Sequence, residues 1–218
     1  MPPGWGADVA NPRREATGQP QGRRTQAERT ARTRERILAA VVDSIAEVGF
    51  GRTTANEIAR RAGVTWGAVQ HHFGAKDGIL EAVLADSFER FVRRLEDVPT
   101  EGPLEQRVRG FVDRAWQHFS SPHYRSTLEI LLHLSPAPSE GAGWQGGMVE
   151  ALNRIWQRLF AAEALPPRRV AMLQRYAVSV LSGLSSLEML DGRPHSRAAE
   201  LALLERTLVE ELSGAAER

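Results

Sequence analysis

One residue type and several sequence features are missing from this chain of 218 residues. It contains no cysteine, which excludes disulfide bonds, thiol redox sensing and zinc sites built on cysteine. The first 18 residues contain no apolar run, so we expect no signal peptide. The longest conspicuous uncharged stretch, residues 176–187, is shorter than the roughly 20 residues that span a bilayer. We therefore expect a cytoplasmic protein.

Sequence motifs of several common enzyme classes are also missing. There is no G-x-S-x-G, no H-E-x-x-H and no phosphate-binding loop. Glu129 and His133 lie one helical turn apart and fit a surface pair better than a metal site. His71 and His72 point about 100° apart on a helix, so they cannot easily share a metal. We expect no enzyme activity, no cofactor and no metal.

The charge changes sign along the chain. Residues 1–80 hold 12 lysines and arginines against 8 acidic residues, a net +4, and residues 81–218 hold 16 against 19, a net −3. A basic first part favours a nucleic-acid-binding head, although an excess of this size also arises by chance. Residues 1–29 are rich in Pro, Gly, Arg and Gln, so we expect a disordered basic arm. Its arginines, among them Arg23 and Arg24, either contact DNA or stay solvated.

The spacing of apolar residues predicts helices along the rest of the chain. No segment alternates with period two, so we expect an all-α protein of about nine helices. Gly49 ends the first helix, residues 33–48, and Thr54 with Glu57 forms a capping box for the second. The later helices are predicted from residue 76 to about 95, and at 104–119, 124–134, 148–162, 168–190 and 197–212. A segment rich in Pro, Gly and Ser, residues 135–147, interrupts them.

Residues 55–73 carry the most specific pattern, ANEIARRAGVTWGAVQHHF. Ala59 is small where two short helices would touch, Gly63 stands at the turn, and Thr65 is placed to cap the second helix. Two helices joined at about 90–120° in this way form a helix-turn-helix, whose second helix presents a polar face to DNA. Helix-turn-helix folds that bind only protein are the alternative.

These residues resemble the TetR family of bacterial transcription regulators. The resemblance is specific over about residues 34–84 and rests on Thr53, Thr54, Ile58, Ala59, Ala62, Gly63, Val64, Thr65, Gly67, His71, His72, Phe73, Lys76, Ile79 and Leu80. It implies a three-helix DNA-binding head, residues 30–80, followed by a body, residues 81–218, that binds a small molecule and dimerises through its last two helices. Trp66 and Gln70 depart from the family, which often has lysine and tyrosine at these positions.

The predicted DNA contacts fall into two groups. Thr54 and Thr65 lie at helix N-termini, where free backbone N–H groups favour phosphate. We expect Ala68, Gln70 and His71 to reach base edges, and the resemblance implies phosphate contacts at His72 and Lys76. The full predicted set is Arg34, Thr54, Thr65, Trp66, Gly67, Ala68, Gln70, His71, His72 and Lys76.

The body is predicted to hold a dimer interface and a ligand pocket. Helix 168–190 is apolar around most of its circumference, so we expect one side in its own core and the other against a partner, unless both are core. Small residues permit close approach, and the predicted interface is Ser179, Ser182, Gly183, Ser186, Leu204 and Leu208. Large rings either fill the core or line a pocket for an apolar or amphipathic ligand. These are Phe88, Trp116, Phe119, Tyr124, Trp156, Phe160 and Tyr176.

Together these features predict a homodimeric repressor that occupies a palindromic operator and is released by a small effector. The partners would be double-stranded operator DNA, a second copy of the chain and that effector. An activator or global regulator with the same head is the alternative, as is a protein-interaction module.

Overall fold

The computed structural model describes residues 25–133, 144–191 and 196–214. In these ranges all the regular secondary structure is helical, which confirms the all-α prediction. The helices are α1 Gln26–Val48, α2 Ala55–Ala62, α3 Trp66–Phe73, α4 Lys76–Glu96, α5 Leu104–Phe119, α6 Pro122–His133, α7 Trp144–Phe160, α8 Pro167–Asp191 and α9 Ala198–Ser213. Two short 3-10 helices lie in the connections: η1 Phe50–Arg52 follows α1, and η2 Ala161–Glu163 follows α7. None of the helices described is long and apolar enough to cross a lipid bilayer.

The first helix begins earlier than predicted, at Gln26 rather than Thr33. Thr25 and Glu28 form a complete capping box: the Thr25 hydroxyl accepts from Glu28 N at 3.2 Å, and Glu28 Oε2 accepts from Thr25 N at 2.9 Å. Residues 26–29 therefore belong to α1 and not to the arm. The rest of the arm, with Arg23 and Arg24, lies outside the described residues.

The helix after the predicted break also begins early. Helix α7 starts at Trp144, so Gly147 lies inside its first turn, where a glycine costs little because the first N–H groups have no intrahelical partner. Residues 134–143, which include most of the predicted break, lie outside the described residues, as do residues 192–195.

The apolar stripe of α1 is the centre of a compact cluster that we call the head core. Ile37, Val41 and Ile45 are almost fully buried there, while Val48, which the sequence pattern placed on the same stripe, is only half-buried. The head core consists of Ile37, Leu38, Ala40, Val41, Val42, Ile45, Ile58, Ala59, Ala62, Val69, Ile79, Leu80, Ala82, Val83, Leu84 and Ile130. It therefore includes the first turns of α4 and one residue of α6.

A second cluster, the body core, forms around α5. Phe111 packs edge-to-face against Trp156 and Phe160 of α7, with ring centroids 5.5 and 6.2 Å apart. Beside these rings the buried Arg107 guanidinium binds Glu163 at 2.6 Å and the Leu159 carbonyl oxygen. A buried charge is tolerated when it is paired and hydrogen-bonded in this way.

Helix α6 contributes side chains to both cores. Tyr124 and Leu128 pack in the body core. On another face of the same helix, Ile130 is buried in the head core and the Ser126 hydroxyl donates to Val42 O of α1 at 3.0 Å. The position of α6 is therefore tied to both the head and the body.

His118 is enclosed by aromatic rings in the body core. Its ring centroid lies 4.9 Å from Phe91, 5.3 Å from Tyr124 and 5.4 Å from Phe119. Burial, together with the charges of Arg94 and His123, lowers the pKa of His118 from 6.5 to about 3. His118 is therefore neutral at neutral pH and acts as a core residue.

We predict that His118 makes the fold sensitive to acid between pH 6.5 and 3. Its folded-state pKa is lowered, so in this window the unfolded chain binds the proton and the folded chain does not, and stability falls as the pH falls. The loss from pH 7 to pH 5 is up to about 2 kcal/mol. Denaturant titrations at both pH values should show this loss in the wild type and a smaller one in His118→Phe. An equal loss in both proteins would contradict the assignment.

Candidate nucleic-acid interface

The two short helices of the head begin and end at the predicted residues. The Thr54 hydroxyl accepts from Glu57 N at 3.3 Å, and the Thr65 hydroxyl accepts from Ala68 N at 3.2 Å. Each threonine therefore caps its helix, as predicted. Between them Gly63 has φ 63° and ψ 40°, a left-handed conformation that ends α2 and turns the chain into α3.

The backbone conformation and a nearby side chain both favour glycine at position 63. A residue with a side chain is strained at this φ. In addition, a Cβ here would lie 2.7 Å from Arg36 Nη2. That guanidinium donates to the Ala62 carbonyl and, at 3.4 Å, to the Gly63 carbonyl. Arg36 of α1 therefore holds the turn between α2 and α3 through two backbone carbonyls. These hydrogen bonds help to fix the direction of α3.

The capping box predicted for α2 is only half formed. The Glu57 carboxylate does not return to the Thr54 N–H, because Arg60 at 2.7 Å and Arg61 at 2.5 Å bind it instead. These hydrogen bonds, that of Arg60 first, lower the pKa of Glu57 to about 2. Arg61 also binds Glu47 of α1 at 2.6 Å. The charges of both arginines are thus neutralised within the head, and the Arg61 pair fastens α2 to α1.

Helix α3 has one buried side and one exposed side. Val69 is completely buried in the head core, whereas Gln70 and His71 are exposed. Within the described residues, the side chains of Gln70 and His71 make no hydrogen bond. Ala68 and His72 are half-buried, and so is Trp66, whose indole packs against the head core. This exposed side is the face on which the sequence placed the base contacts.

Gly67, on the same helix, is exposed to solvent. A Cβ at this position would meet no atom closer than the Thr65 hydroxyl, at 3.9 Å. Packing within the chain therefore does not require a glycine here. A close approach of another molecule to the backbone is the remaining physical reason for one.

Two cations lie near the C-terminal end of α3, and each lies over an aromatic ring. Arg34 Cζ of α1 is 4.7 Å from the ring centroid of Phe73, the last residue of α3, and Lys76 Nζ of α4 is 5.0 Å from that of Phe50. Such contacts are worth about 0.5–1 kcal/mol at exposed sites. Neither cation forms an ion pair with another described residue, unlike Arg60 and Arg61. The two cations therefore present unneutralised charge near the C-terminal end of α3.

The cation–π contacts of Phe50 and Phe73 were not predicted from the sequence. The available signal was an aromatic residue at each end of the helix pair, but a cation–π contact joins residues far apart in sequence. Arg34 and Phe73 are brought together only by the packing of α1 against the end of α3.

The predicted dimer residues divide into exposed and buried ones. Leu204 and Leu208 are 1% and 0% exposed within a single chain. They belong to the body core, so their assignment to an interface is wrong. Helical periodicity identified their apolar face but not what covers it. Ser179 and Gly183 are exposed, and Ser182 and Ser186 are half-buried.

Exposed residues follow one line along α8, which we call the α8 stripe. It consists of Met172, Tyr176, Ser179, Gly183, Leu187 and Leu190. These positions recur at intervals of three or four residues and so share one helix face. Four of the six are large and apolar or aromatic, and Leu190 is 81% exposed.

Two of the predicted pocket residues line a cleft between α7 and α8. The cleft has a volume of about 600 Å³, and its lining carries no charged side chain. It is lined by Asn153, Trp156, Gln157, Phe160, Ala161, Ala164, Leu165, Pro167, Val170 and Ala171. Within the described ranges there is no cluster of three or more residues suited to hold a metal ion.

The other five predicted pocket residues lie elsewhere. Phe119 and Tyr124 pack against each other at 4.6 Å and fill the body core. Burial raises the pKa of Tyr124 to about 12, a rise that a hydrogen bond with Ser182 limits. Phe88 packs half-buried on the same core, Trp116 faces a separate shallow depression, and Tyr176 is on the α8 stripe. The described structure thus brings only Trp156 and Phe160 to the cleft.

The sequence of this chain is similar to those of a known protein family. The family model for bacterial regulatory proteins of the tetR family matches residues 37–83. The transcriptional regulator BetI of Escherichia coli strain K12 is 37% identical over 180 residues, which cover 67% of this chain and 92% of that protein. BetI of Cronobacter sakazakii is 29% identical over 196 residues, which cover 84% of this chain and 92% of BetI. With BetI of another E. coli strain, UMN026, the match spans only 43% of that protein.

Solved structures share the fold. A tetR-family regulator from Streptomyces coelicolor superposes with a TM-score of 0.64 at 20% identity, covering 86% of this chain and 83% of that chain. FadR from Bacillus subtilis, solved in complex with stearoyl-CoA, gives 0.60 at 17% identity, covering 83% and 98%. The fold extends beyond the residues of the family model, and the identity to BetI of strain K12 spans most of that protein. This chain belongs to the TetR family of bacterial transcription regulators.

Proposed function

We propose that this regulator is a homodimeric repressor that binds a palindromic operator through α3. Binding of a small apolar or amphipathic effector to the body would release it. The exposed side of α3, with two unneutralised cations near its C-terminal end, is the observation that carries this proposal. The exposed Gln70 amide has the donor and acceptor groups for a bidentate pair with adenine, and His71 is the next residue. Arg34, His72, Lys76 and the capped N-termini of α2 and α3 would hold the phosphates.

We predict that duplex binding is strongly salt-dependent and needs Gln70 and Lys76. About ten phosphate contacts per dimer would lower affinity by roughly 10³–10⁵ between 50 and 200 mM salt. Lys76→Ala should reduce the slope of log K against log salt by about two per dimer. Gln70→Ala should instead weaken binding to the operator more than binding to unrelated DNA. Fluorescence anisotropy with DNA flanking the gene measures all three.

Arg154→Ala is the matched control, because Arg154 is an exposed arginine on α7, remote from α3. It should leave both affinity and salt slope unchanged. Salt-insensitive binding, or equal losses in Lys76→Ala and Arg154→Ala, would exclude the proposed interface.

The α8 stripe supports the proposal that the protein is a dimer. Its large residues leave apolar area exposed in a single chain, and exposed patches of this kind mark contact surfaces. At its centre Ser179 and Gly183 are small enough for two helices to approach closely. A Cβ at Gly183 meets no atom within 4 Å, so nothing in the single chain requires a glycine there.

We predict that Gly183→Arg produces a folded monomer. The new side chain has space in one chain but would stand between two copies of α8, and should weaken dimerisation at least about 30-fold. Sedimentation velocity measures the change. Gly147→Arg on α7 is the control, because a Cβ there also meets nothing within 4 Å. A dimer that persists in Gly183→Arg would place the interface elsewhere.

The cleft between α7 and α8 is the proposed effector site. Its uncharged lining, with the edges of Trp156 and Phe160 and the amides of Asn153 and Gln157, suits a neutral or amphipathic molecule. The FadR neighbour was solved with stearoyl-CoA, an amphipathic ligand, which supports this class of effector.

A series of contacts connects the wall of the cleft to the head. Arg158 of α7 donates to Leu95 O at 2.6 Å and Glu96 O at 3.0 Å, at the end of α4. The other end of α4 begins at Lys76, beside α3. A ligand that displaces α7 would therefore also move α4. Such a ligand shifts the regulator only if it binds the displaced arrangement more tightly.

We predict that Ala171→Trp blocks the cleft without affecting DNA binding. The indole would occupy space that the cleft leaves empty, and should weaken binding of the neutral probe N-phenyl-1-naphthylamine by about tenfold or more. Probe fluorescence measures this, with Ala199→Trp on the exposed side of α9 as control. Unchanged probe binding in Ala171→Trp would show that apolar ligands bind elsewhere.

A further inference from the structure

Phe50 lies between a cation beside the DNA-binding helix and a helix of the body. Lys76 Nζ is 5.0 Å from the centroid of the Phe50 ring. The imidazole of His133, in the last turn of α6, stacks on the same ring at 4.4 Å with an angle of 26° between the planes. The Phe50 backbone N–H donates to Glu129 Oε2 of α6 at 2.9 Å.

The η1 turn leaves the N–H group of Phe50 without a partner inside the turn. Phe50 begins η1, a single 3-10 turn, directly after Gly49, whose φ of 80° and ψ of 160° suit only glycine. Thr53 N donates to Phe50 O at 3.1 Å and the Thr53 hydroxyl donates to Gly49 O at 3.0 Å, so the carbonyl side of the turn is held locally. The Glu129 carboxylate accepts from the Phe50 N–H, the His133 ring stacks on the Phe50 side chain, and that side chain also packs against the head core. Helix α6 is therefore one external support of this turn, beside the head core.

Helix α6 is itself well anchored at this place. Ser126, three residues before Glu129, and Ile130, the next residue after it, hold α6 to α1 and the head core. His133 is oriented by a 2.8 Å hydrogen bond between Nδ1 and the Glu129 carbonyl oxygen. The Glu129 carboxylate forms no ion pair with Lys76, so the lysine keeps its charge for another partner.

We propose that Phe50 is a positioning residue for DNA binding, and that α6 holds it in place through Glu129 and His133. The ring restricts an otherwise flexible lysine side chain beside α3, so less conformational entropy is lost when the ammonium binds a phosphate. This inference rests on the phosphate contact proposed above for Lys76. It adds a route from the body to a DNA contact that reaches the first residue of α4 without running along the length of that helix.

A double-mutant cycle on a 30-base-pair duplex of unrelated sequence tests the proposal. The proteins are wild type, Phe50→Leu, Lys76→Ala and the double variant, compared by anisotropy at 100 mM salt. Phe50→Leu should weaken binding roughly 3- to 10-fold when Lys76 is present. In the Lys76→Ala background it should change affinity less than about twofold. Phe50→Trp, which keeps an aromatic face, should retain wild-type affinity and salt slope.

The same cycle with Glu129 tests the role of α6 and covers the case in which Phe50→Leu fails to fold. Glu129→Leu removes the acceptor and should weaken binding only when Lys76 is present. Glu129→Gln keeps an acceptor oxygen and should bind like the wild type. Thermal melts of each variant confirm that it is folded.

Two results would overturn the proposal in different ways. Equal weakening by Phe50→Leu and Glu129→Leu with and without Lys76 would show that Phe50 and α6 only stabilise the fold, while the phosphate contact stands. Unchanged duplex binding in Lys76→Ala alone would remove the phosphate contact and this inference together.

Discussion

The DNA-binding surface depends on the left-handed turn at Gly63. The positive φ of Gly63 strains any residue with a side chain, and a Cβ there would displace the guanidinium of Arg36. The turn fixes the rotation of α3, so Val69 faces the head core and Gln70 faces outward. A helix rotated by one residue, about 100°, would bury the polar face and expose the apolar one. The ion pair between Arg61 and Glu47 stabilises the same arrangement by fastening α2 to α1.

Two helices connect this surface to the rest of the molecule. Helix α4 begins beside α3, and the Arg158 guanidinium of α7 holds its last carbonyls. Helix α6 packs in both cores and supports the turn at Phe50. The head is therefore held at two separate points. A change in the body that moved only one of these helices would alter the position of Lys76 relative to α3.

The sequence predicted the helices well because its signals for them are local. Thr54, Gly63 and Thr65 begin or end helices through contacts with residues at most four positions away. The early start of α1 was also readable, since Thr25 and Glu28 have the spacing of a capping box. Tertiary contacts were not readable in this way. The pattern that put Leu204 on an apolar face is the same whether its own core or a partner covers it.

If α3 reads DNA from a two-fold dimer, a hydroxyl-radical footprint on the DNA flanking the gene should show two protected half-sites of inverted sequence. Their centres should lie about 10–10.5 base pairs apart or a multiple of that distance. Gln70→Ala should lose this protection. A single protected half-site, or protection unchanged in Gln70→Ala, would exclude DNA reading by α3 from a two-fold dimer.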